Sequence, residues 1–215
     1  MELADATTPT PGALETFGLN ALHVITIRDE ETQALYEALA AEGNEVLGLR
    51  PGDDMGDLSR KLRQNTPSKS LDAIHLYSHG DCGRFWIGDT TVTSDTIIGL
   101  KDDLQRLGRA LTDDGDLLIY GCNVGMSKAG EHLVQGLAAT TEADIAASND
   151  KTGAAEQGGD WDLEVASGVI ENPYENRQII HKWSGTLDIS PSSWVTSASF
   201  IDGSGDLVEV SLKGG

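Results

Sequence analysis

Short apolar runs alternate with amphipathic stretches along most of this chain, and that alternation restricts the fold more than any other feature. The apolar runs have the length and composition of buried strands, at LHVITI (22–27), EVLGL (45–49), AIHLYS (73–78), DLLIYG (116–121) and DIAAS (144–148). Helical patterns separate them, at residues 31–43, 55–65, 95–112 and 128–143. The alternation predicts an α/β fold with a mainly parallel sheet and helices on both faces.

Several boundaries of these elements carry their own signals. Asp29 stands at the N-cap position of the first helix, and Ser94 at that of the helix over 95–112. GRFWIGDTTVT (83–93) alternates around Gly-Asp and predicts a small β-hairpin. GGDWDLEVASGVIENPY (158–174) predicts a second antiparallel hairpin, in which Trp161 packs on the sheet.

Composition divides the chain into three parts. Residues 1–20 are rich in Thr, Pro, Gly and Ala, and we expect a flexible leader. Residues 21–183 hold the periodic pattern and predict one domain. From 184 to 215, Ser, Gly and Thr accompany short alternating runs. This part predicts a linker and the start of a following β-rich module, or a tail that packs back on the domain.

The charge balance narrows the function classes. The chain has 35 acidic and 15 basic residues and a formal net charge of −20, which argues against nucleic acid as a partner. No apolar run reaches the roughly 18 residues of a membrane span, and the N-terminal residues lack a signal-peptide pattern. Cys82 and Cys122 have no zinc spacing. We expect no required cofactor and no metal site, although the acidity is compatible with Ca²⁺-rich surroundings.

Two predicted strands end in residues that can perform chemistry together. One ends in Ser78-His79-Gly80 and the other in Gly121-Cys122-Asn123. Because the carboxyl ends of parallel strands meet at one edge of a sheet, we expect His79 and Cys122 to lie close together. A thiol beside an imidazole can lose its proton and act as a nucleophile. The amides of Gly80 and Cys122 would form an oxyanion hole, and Gly121 would allow a turn that exposes Cys122.

These motifs resemble those of the caspase, gingipain and legumain group of cysteine peptidases. IHLYSHGDCGRFWIGD resembles the caspase histidine loop, and DLLIYGCNVG the cysteine strand, although this chain has Tyr120-Gly121 where caspases carry Gln-Ala. Residues 21–183 also resemble a bacterial domain found near the N-termini of large, repeat-rich surface adhesins. SHG, LIYGCNV, ASNDKTG and GGDWDLEV carry that likeness, in this order.

The resemblance implies a caspase-like α/β/α sandwich and a cysteine endopeptidase. It makes His79 the general base or acid and Cys122 the nucleophile, acting as a dyad without a third catalytic residue. Peptide or protein would be the substrate, including the chain's own polypeptide. It further implies a secreted or cell-surface location within a larger bacterial protein.

Families of this group select the residue before the cleaved bond with a charged pocket. We expect a preference for a basic residue, with Asp150, Asp54 and Asp53 as candidate acidic wall residues. Arg50 follows the second strand and would instead select an acidic residue. Self-processing would then occur near the C-terminal boundary, where the basic sites are Lys182-Trp183 and Lys213-Gly214.

Three alternatives stay open at this point. The domain would be a catalytically inactive capping or adhesion module if the groove were blocked or His79 and Cys122 lay far apart. A flavodoxin-like binding domain has less support, because no glycine-rich phosphate loop follows any strand. A Cys82–Cys122 disulfide would silence the nucleophile, whereas the simpler role for Cys82 is packing in the hairpin.

Overall fold

The computed structural model contains a six-stranded sheet flanked by helices. The structure describes residues 20–171, 182–189, 197–201 and 207–211. Within these residues eleven strands are assigned: β1 Ala21–Thr26, β2 Glu45–Leu49, β3 Leu71–Tyr77, β4 Gly80–Asp81, β5 Arg84–Ile87, β6 Thr90–Thr93, β7 Leu111–Tyr120, β8 Asp144–Ala147, β9 Val165–Ala166, β10 Ser197–Ile201 and β11 Leu207–Ser211. The main sheet has the order β2-β1-β3-β7-β8-β9. Its strands run parallel except β9, which is antiparallel to β8. The predicted fold class is therefore confirmed.

Four α-helices flank the sheet among the described residues: α1 Glu30–Ala41, α2 Met55–Asn65, α3 Lys101–Ala110 and α4 Ser127–Thr141. Asp29 and Asp54 begin α1 and α2 as N-caps, each in a capping box with the residue three positions later. Gly43 follows α1 with a φ of +84°, a conformation that glycine adopts without strain.

Side chains alternate between two different cores along the central strands. Leu22, Val24, Ile74 and Leu76 face an aliphatic core shared with α2, α3 and α4, which we call the helical face. The intervening positions, including Ile25, Tyr77, Leu118 and Tyr120, face a second core with α1, Trp161, Trp183 and Leu187, which we call the aromatic face. The period of two in a strand produces both cores from one run of residues.

Two predicted elements differ from the structure. The helix expected over 95–112, with Ser94 as its cap, begins only at Lys101, and Leu111 already starts β7 by pairing with Leu71. Thr96 explains the late start, because its hydroxyl donates to Thr91 O at 3.1 Å and accepts from Thr93 N at 2.9 Å, which stabilises turns.

The second predicted hairpin is also reduced. In the described part of 158–174, only Val165–Ala166 is a strand, and it pairs with β8. Asp160 instead bridges to Thr152.

The first hairpin was predicted correctly. β5 and β6 pair around Gly88-Asp89, and β4 extends them into a three-stranded antiparallel sheet directly after His79. β10 and β11 form a separate two-stranded antiparallel sheet. The leader through residue 19 and the Lys213-Gly214 site lie outside the described residues. No helix in the described part of the chain is long and apolar enough to cross a membrane.

Candidate active site

His79 is held by a carboxylate that lies fifty residues earlier in the chain. Its Nε2 lies 2.6 Å from Asp29 Oδ2, and both side chains are largely buried. A carboxylate only accepts, so we assign the proton to Nε2, which leaves the lone pair of the neutral ring on Nδ1. Nδ1 is buried, and no atom of the described residues meets hydrogen-bond geometry with it. Asp29 therefore orients the His79 ring, and the backbones of Leu187 and Asp188 lie close to that ring.

Asp29 reaches His79 because it also begins α1. Its Oδ1 accepts from the backbone N–H of Thr32 at 2.9 Å and from the Thr32 hydroxyl at 2.7 Å, while Oδ2 turns to the imidazole. The extended backbone at Asp29 places it at the carboxyl edge of β1, next to β3 in the sheet. One carboxylate thus caps a helix and fixes a histidine.

Cys122 follows the neighbouring strand β7 by two residues, and it is fully buried rather than exposed. Its thiol lies 3.6 Å from Thr152 O, to which the S–H donates, and the Thr152 N–H donates to Sγ at 3.3 Å. The chain turns at Asn123, where φ is +60°, and the Asn123 N–H donates to Asp150 O. The loop after β8 therefore holds Cys122 through its backbone.

The two loops that carry His79 and Cys122 touch each other. The Ser78 N–H donates to Tyr120 O at 3.0 Å, which extends the β3–β7 pairing by one residue. A methyl group on Gly80 would lie 2.8 Å from Cys122 O and 2.6 Å from the Val124 side chain, so only glycine fits there. Close approach, rather than an unusual φ, explains this glycine.

A chain segment from Trp183 to Asp188, which we call the closing segment, lies over this pair. The Gly80 N–H, predicted as an oxyanion donor, donates to Leu187 O at 3.1 Å. The Leu187 N–H donates to Thr152 O at 2.9 Å, and the Ala154 N–H donates to Gly185 O at 2.9 Å. Thr186 pairs antiparallel with Gly153 between these bonds. The segment is bound as a β-strand between the histidine loop and the loop after β8.

The pKa values of both reactive groups are raised, so the Cys122 thiol and the His79 imidazole both favour their protonated forms. Burial is the main cause that raises the pKa of the Cys122 thiol to about 12, while the backbone of Thr152 lowers it and the Asp188 carboxylate raises it by smaller amounts. Burial alone would lower the pKa of His79, but the hydrogen bond and charge of Asp29 and the backbone of Asp188 and Leu187 raise it above its ordinary value. The covered site therefore holds a neutral thiol.

The predicted acidic pocket residues lie in three different roles. Asp54 caps α2. Asp53 accepts from the Arg50 N–H at 2.8 Å and lies 3.7 Å from Lys61 Nζ. Asp150 is exposed, two residues before Thr152, and accepts from the Ser148 hydroxyl at 3.4 Å. Of these residues, Asp150 is the nearest in sequence to the loop that contacts Cys122.

Both cysteines are free in this structure, in which Cys82 is exposed and Cys122 is buried. Cys82 is exposed, and its Sγ contacts Met126 O at 3.1 Å and the Ser127 hydroxyl at 2.9 Å, at the start of α4. Trp161 packs as expected, with its ring centroid 5.9 Å from that of Tyr120.

Two acidic groups have ligand atoms close enough to share a cation, Asp116–Asp144–Glu171 and Asp150–Asp160–Glu164. Protein donors already occupy one oxygen on several of these side chains. Asp144 accepts from the Val169 N–H at 3.1 Å, and Glu164 from the Asn149 N–H at 2.8 Å. Clustered carboxylates in a chain this acidic do not by themselves define a metal site.

The sequence analysis missed Asp29, Thr152 and the closing segment as parts of the site. Asp29 was read only as a helix cap, yet it follows a strand that borders the histidine strand, and that position was the available signal. Thr152 acts through its backbone, which leaves no residue-type signal. A cavity of about 310 Å³ adjoins His79 and is lined by Arg28, Asp29, Pro51, Trp86, Asp89 and Ile189.

The fold and the site together define an α/β domain whose sheet edge carries a buried cysteine and an aspartate-bound histidine on two loops that touch through their backbones. Residues 22–187 match the family described as Domain of unknown function (DUF4347), and the chain belongs to that family. The match ends at Leu187, inside the closing segment. A comparison with curated proteins gave no match.

Among solved structures, the chain is 14% identical to prephenate dehydrogenase from A. aeolicus in complex with hydroxyphenyl propionate and NAD+. The alignment covers 61% of this chain and 42% of that one, with a TM-score of 0.30. A likeness this low carries no argument about fold or function.

Proposed function

We propose that this chain is a cysteine endopeptidase domain in which Cys122 is the nucleophile and His79 the general base. The observation that carries the proposal is the 2.6 Å contact between His79 Nε2 and Asp29 Oδ2. It fixes the ring so that Nδ1 is the accepting nitrogen, beside the strand that ends in Cys122. Nucleophilic catalysis requires a base with a fixed tautomer within reach of a thiol, and we propose that His79 reaches Cys122 from its neighbouring loop.

The proposed reaction follows from these positions. Cys122 Sγ attacks a peptide carbonyl carbon while its proton passes to His79 Nδ1. The Gly80 N–H, with the Cys122 N–H as the proposed second donor, stabilises the negative oxygen that develops. The C–N bond breaks, His79 protonates the departing amine, and water hydrolyses the thioester. Asp29 is a positioning residue, since it acts through His79.

The wider context is part of the same proposal. The motifs resembling adhesin-associated domains favour a location on the bacterial surface or in a secreted protein, with peptide or protein as the substrate. The preference for a basic residue before the cleaved bond stays a prediction. Asp150 is the candidate for the acidic wall of that pocket that lies nearest in sequence to the loop contacting Cys122.

One observation favours a second function, a catalytically inactive capping module. Cys122 has no exposed surface, and its thiol is neutral under the closing segment. A domain that only keeps the peptidase fold would have this groove permanently filled.

Labelling with peptidyl acyloxymethyl ketones separates the two functions. We expect covalent modification of Cys122, found by peptide mass mapping, and a loss of labelling in a His79→Ala variant. Cys82→Ser is the control, because its exposed thiol lies outside the site and its loss should leave the Cys122 adduct unchanged. Equal labelling of Cys122 with and without His79, or none in any reagent series, would favour the inactive module.

A further inference from the structure

We propose that residues 185–188 of the closing segment are the domain's own substrate strand, and that Cys122 cleaves the Leu187–Asp188 peptide bond. This proposal rests on the peptidase function proposed above and deepens it by naming the bond. A segment that only fills the groove could bind in any register, whereas cleavage at this bond requires the register described below.

The register is set by three backbone hydrogen bonds. Leu187 O accepts from Gly80 N–H, the donor expected to bind the oxygen of a carbonyl under attack. Leu187 N–H and Gly185 O are each bound at 2.9 Å to the loop of Thr152 and Ala154. A peptide added to a sheet edge in this manner is a general mode of substrate recognition. Of the described residues, only Leu187 has its carbonyl oxygen on Gly80 N–H.

The reacting groups border the same peptide unit. Thr152 contacts Cys122 Sγ and accepts from Leu187 N–H through its backbone, so the thiol lies next to the Leu187 residue. The backbones of Asp188 and Leu187 also act on the His79 ring. Nucleophile, base and oxyanion donor thus each lie near the backbone of Leu187 or Asp188.

The side chains agree with this register. Leu187 is fully buried in the aromatic face, so the residue before the proposed bond occupies an apolar site. Cleavage at this bond would therefore contradict the predicted preference for a basic residue at that position. Asp188 is partly exposed and lies 4.0 Å from Lys151 Nζ. Ile189 lines the cavity beside His79, which provides space for the departing amine and for water. The predicted cleavage after Lys182 is less accessible, because the next residue, Trp183, is buried against α1.

The chemical step balances with water as the only co-reactant. The Cys122 S–H proton passes to His79 Nδ1 as the S–C bond forms to the Leu187 carbonyl carbon. The Leu187–Asp188 C–N bond breaks, and the proton leaves with the Asp188 amine. Water then converts the thioester to the Leu187 carboxylate and restores the thiol. Loss of the Asp188 side removes a carboxylate and some burial from Cys122, and both changes favour the thiolate.

The test follows the mass of the full chain during incubation from pH 6 to 9. We expect two fragments, 1–187 and 188–215, whose masses sum to that of the intact chain plus one water. N-terminal sequencing of the smaller fragment should begin at Asp188. Cys122→Ala should slow cleavage at least about 10³-fold, whereas Cys82→Ser should match the wild type.

A second variant tests the register without touching the catalytic groups. A methyl group at Gly153, whose φ is +141°, would lie 2.5 Å from Gly185 O. Gly153→Ala should displace the segment, slow self-cleavage at least 10-fold and speed labelling of Cys122 by a leucyl ketone. Gly99→Ala is the control, since a methyl group there meets no atom closer than 3.5 Å.

The outcomes distinguish this proposal from the one it rests on. Cysteine-dependent cleavage at another bond would overturn the Leu187–Asp188 assignment and leave the peptidase function standing. An intact wild type whose Cys122 still reacts with a peptidyl ketone in a His79-dependent manner would do the same. An intact chain with an unreactive Cys122, also in Gly153→Ala, would overturn both.

Discussion

The two faces of the main sheet differ in what covers them and in what they can do. Three helices cover the helical face with aliphatic side chains such as Leu104, Leu107 and Leu137. One helix and the closing segment cover the aromatic face, where stacked His23, His75, Tyr77 and Tyr120 rings cross the strands. Cys122 belongs to the aromatic face. The comparison indicates that one face supplies stability and the other holds the titratable and reactive groups.

The largest expected effect is on the labelling rate of Cys122, and it should distinguish two aspartates that both cap helices, Asp29 on α1 and Asp54 on α2. Asp29→Asn keeps a good N-cap but cannot hold Nε2–H of His79 as a carboxylate does, so the rate at which a peptidyl ketone labels Cys122 should fall about 10² to 10³-fold. The matched control is Asp54→Asn, which changes the same capping box on α2 away from the site. Stopped-assay labelling kinetics measure both. Equal rates in the two variants would reject Asp29 as a positioning residue.

The pH dependence of the same labelling reaction sharpens this result. His79 accepts the thiol proton only when neutral, and its pKa is raised, largely through Asp29. The wild-type rate should therefore rise with pH through an inflection above 6.5, and Asp29→Asn should move that inflection to lower pH. An unchanged inflection would contradict the assignment of His79 as the base.

A cavity in the helical face should cost stability without changing chemistry. Leu107 is fully buried among the helices, so Leu107→Ala should lower the free energy of unfolding by about 3 kcal/mol. Urea unfolding gives that value, and the labelling rate of Cys122 at a temperature where the variant is folded should stay within about twofold of wild type. A large loss of labelling in the folded variant would show that the two faces are coupled.

The aromatic face should make the fold sensitive to acid. Burial lowers the pKa of His23 from 6.5 to about 4. The unfolded chain binds the proton first as the pH falls, so stability should decline between about pH 6.5 and 4, by roughly 3 kcal/mol for this residue. Buried His75 acts in the same direction. Urea unfolding across this range should show a shallower decline in His23→Phe, whereas Leu107→Ala should shift the whole curve without changing its slope.

The smallest effect concerns the anchor of the closing segment. The Trp183 indole N–H donates to Glu31 O at 3.0 Å, at the start of α1. Trp183→Phe keeps most of the apolar contact and removes this bond, which should cost about 1 kcal/mol. Urea unfolding of the variant and the wild type gives this difference in the free energy of unfolding. Hydrogen exchange at the Leu187 amide should also become faster in the variant. Unchanged exchange there would show that the three backbone bonds hold the segment without the anchor.

The strand pattern predicted most of the sheet, and the reason is local. β2 and α2 have the predicted bounds. The buried residues of α2 recur with the helical period, at Met55, Leu58, Ser59 and Leu62, whereas β2 is a short apolar run that ends before a Pro-Gly turn. The start of α3 was predicted six residues too early, since Thr96 forms side-chain bonds that compete with a helix. The reduced hairpin after Gly158 has a comparable cause, because Asp160 pairs with Thr152 rather than with its sequence neighbours.

Strand ends and residue types are local properties, so the residue pattern was enough to predict that a histidine and a cysteine follow two apolar strands. The surroundings of these two residues depend on contacts between distant parts of the chain. The Asp29–His79 contact spans fifty residues and depends on β1 lying beside β3. The closing segment is bound through backbone N–H and C=O groups, which every residue type except proline carries alike. Such pairing leaves no mark in a residue pattern, so its register at Leu187 emerges only when the chain is folded.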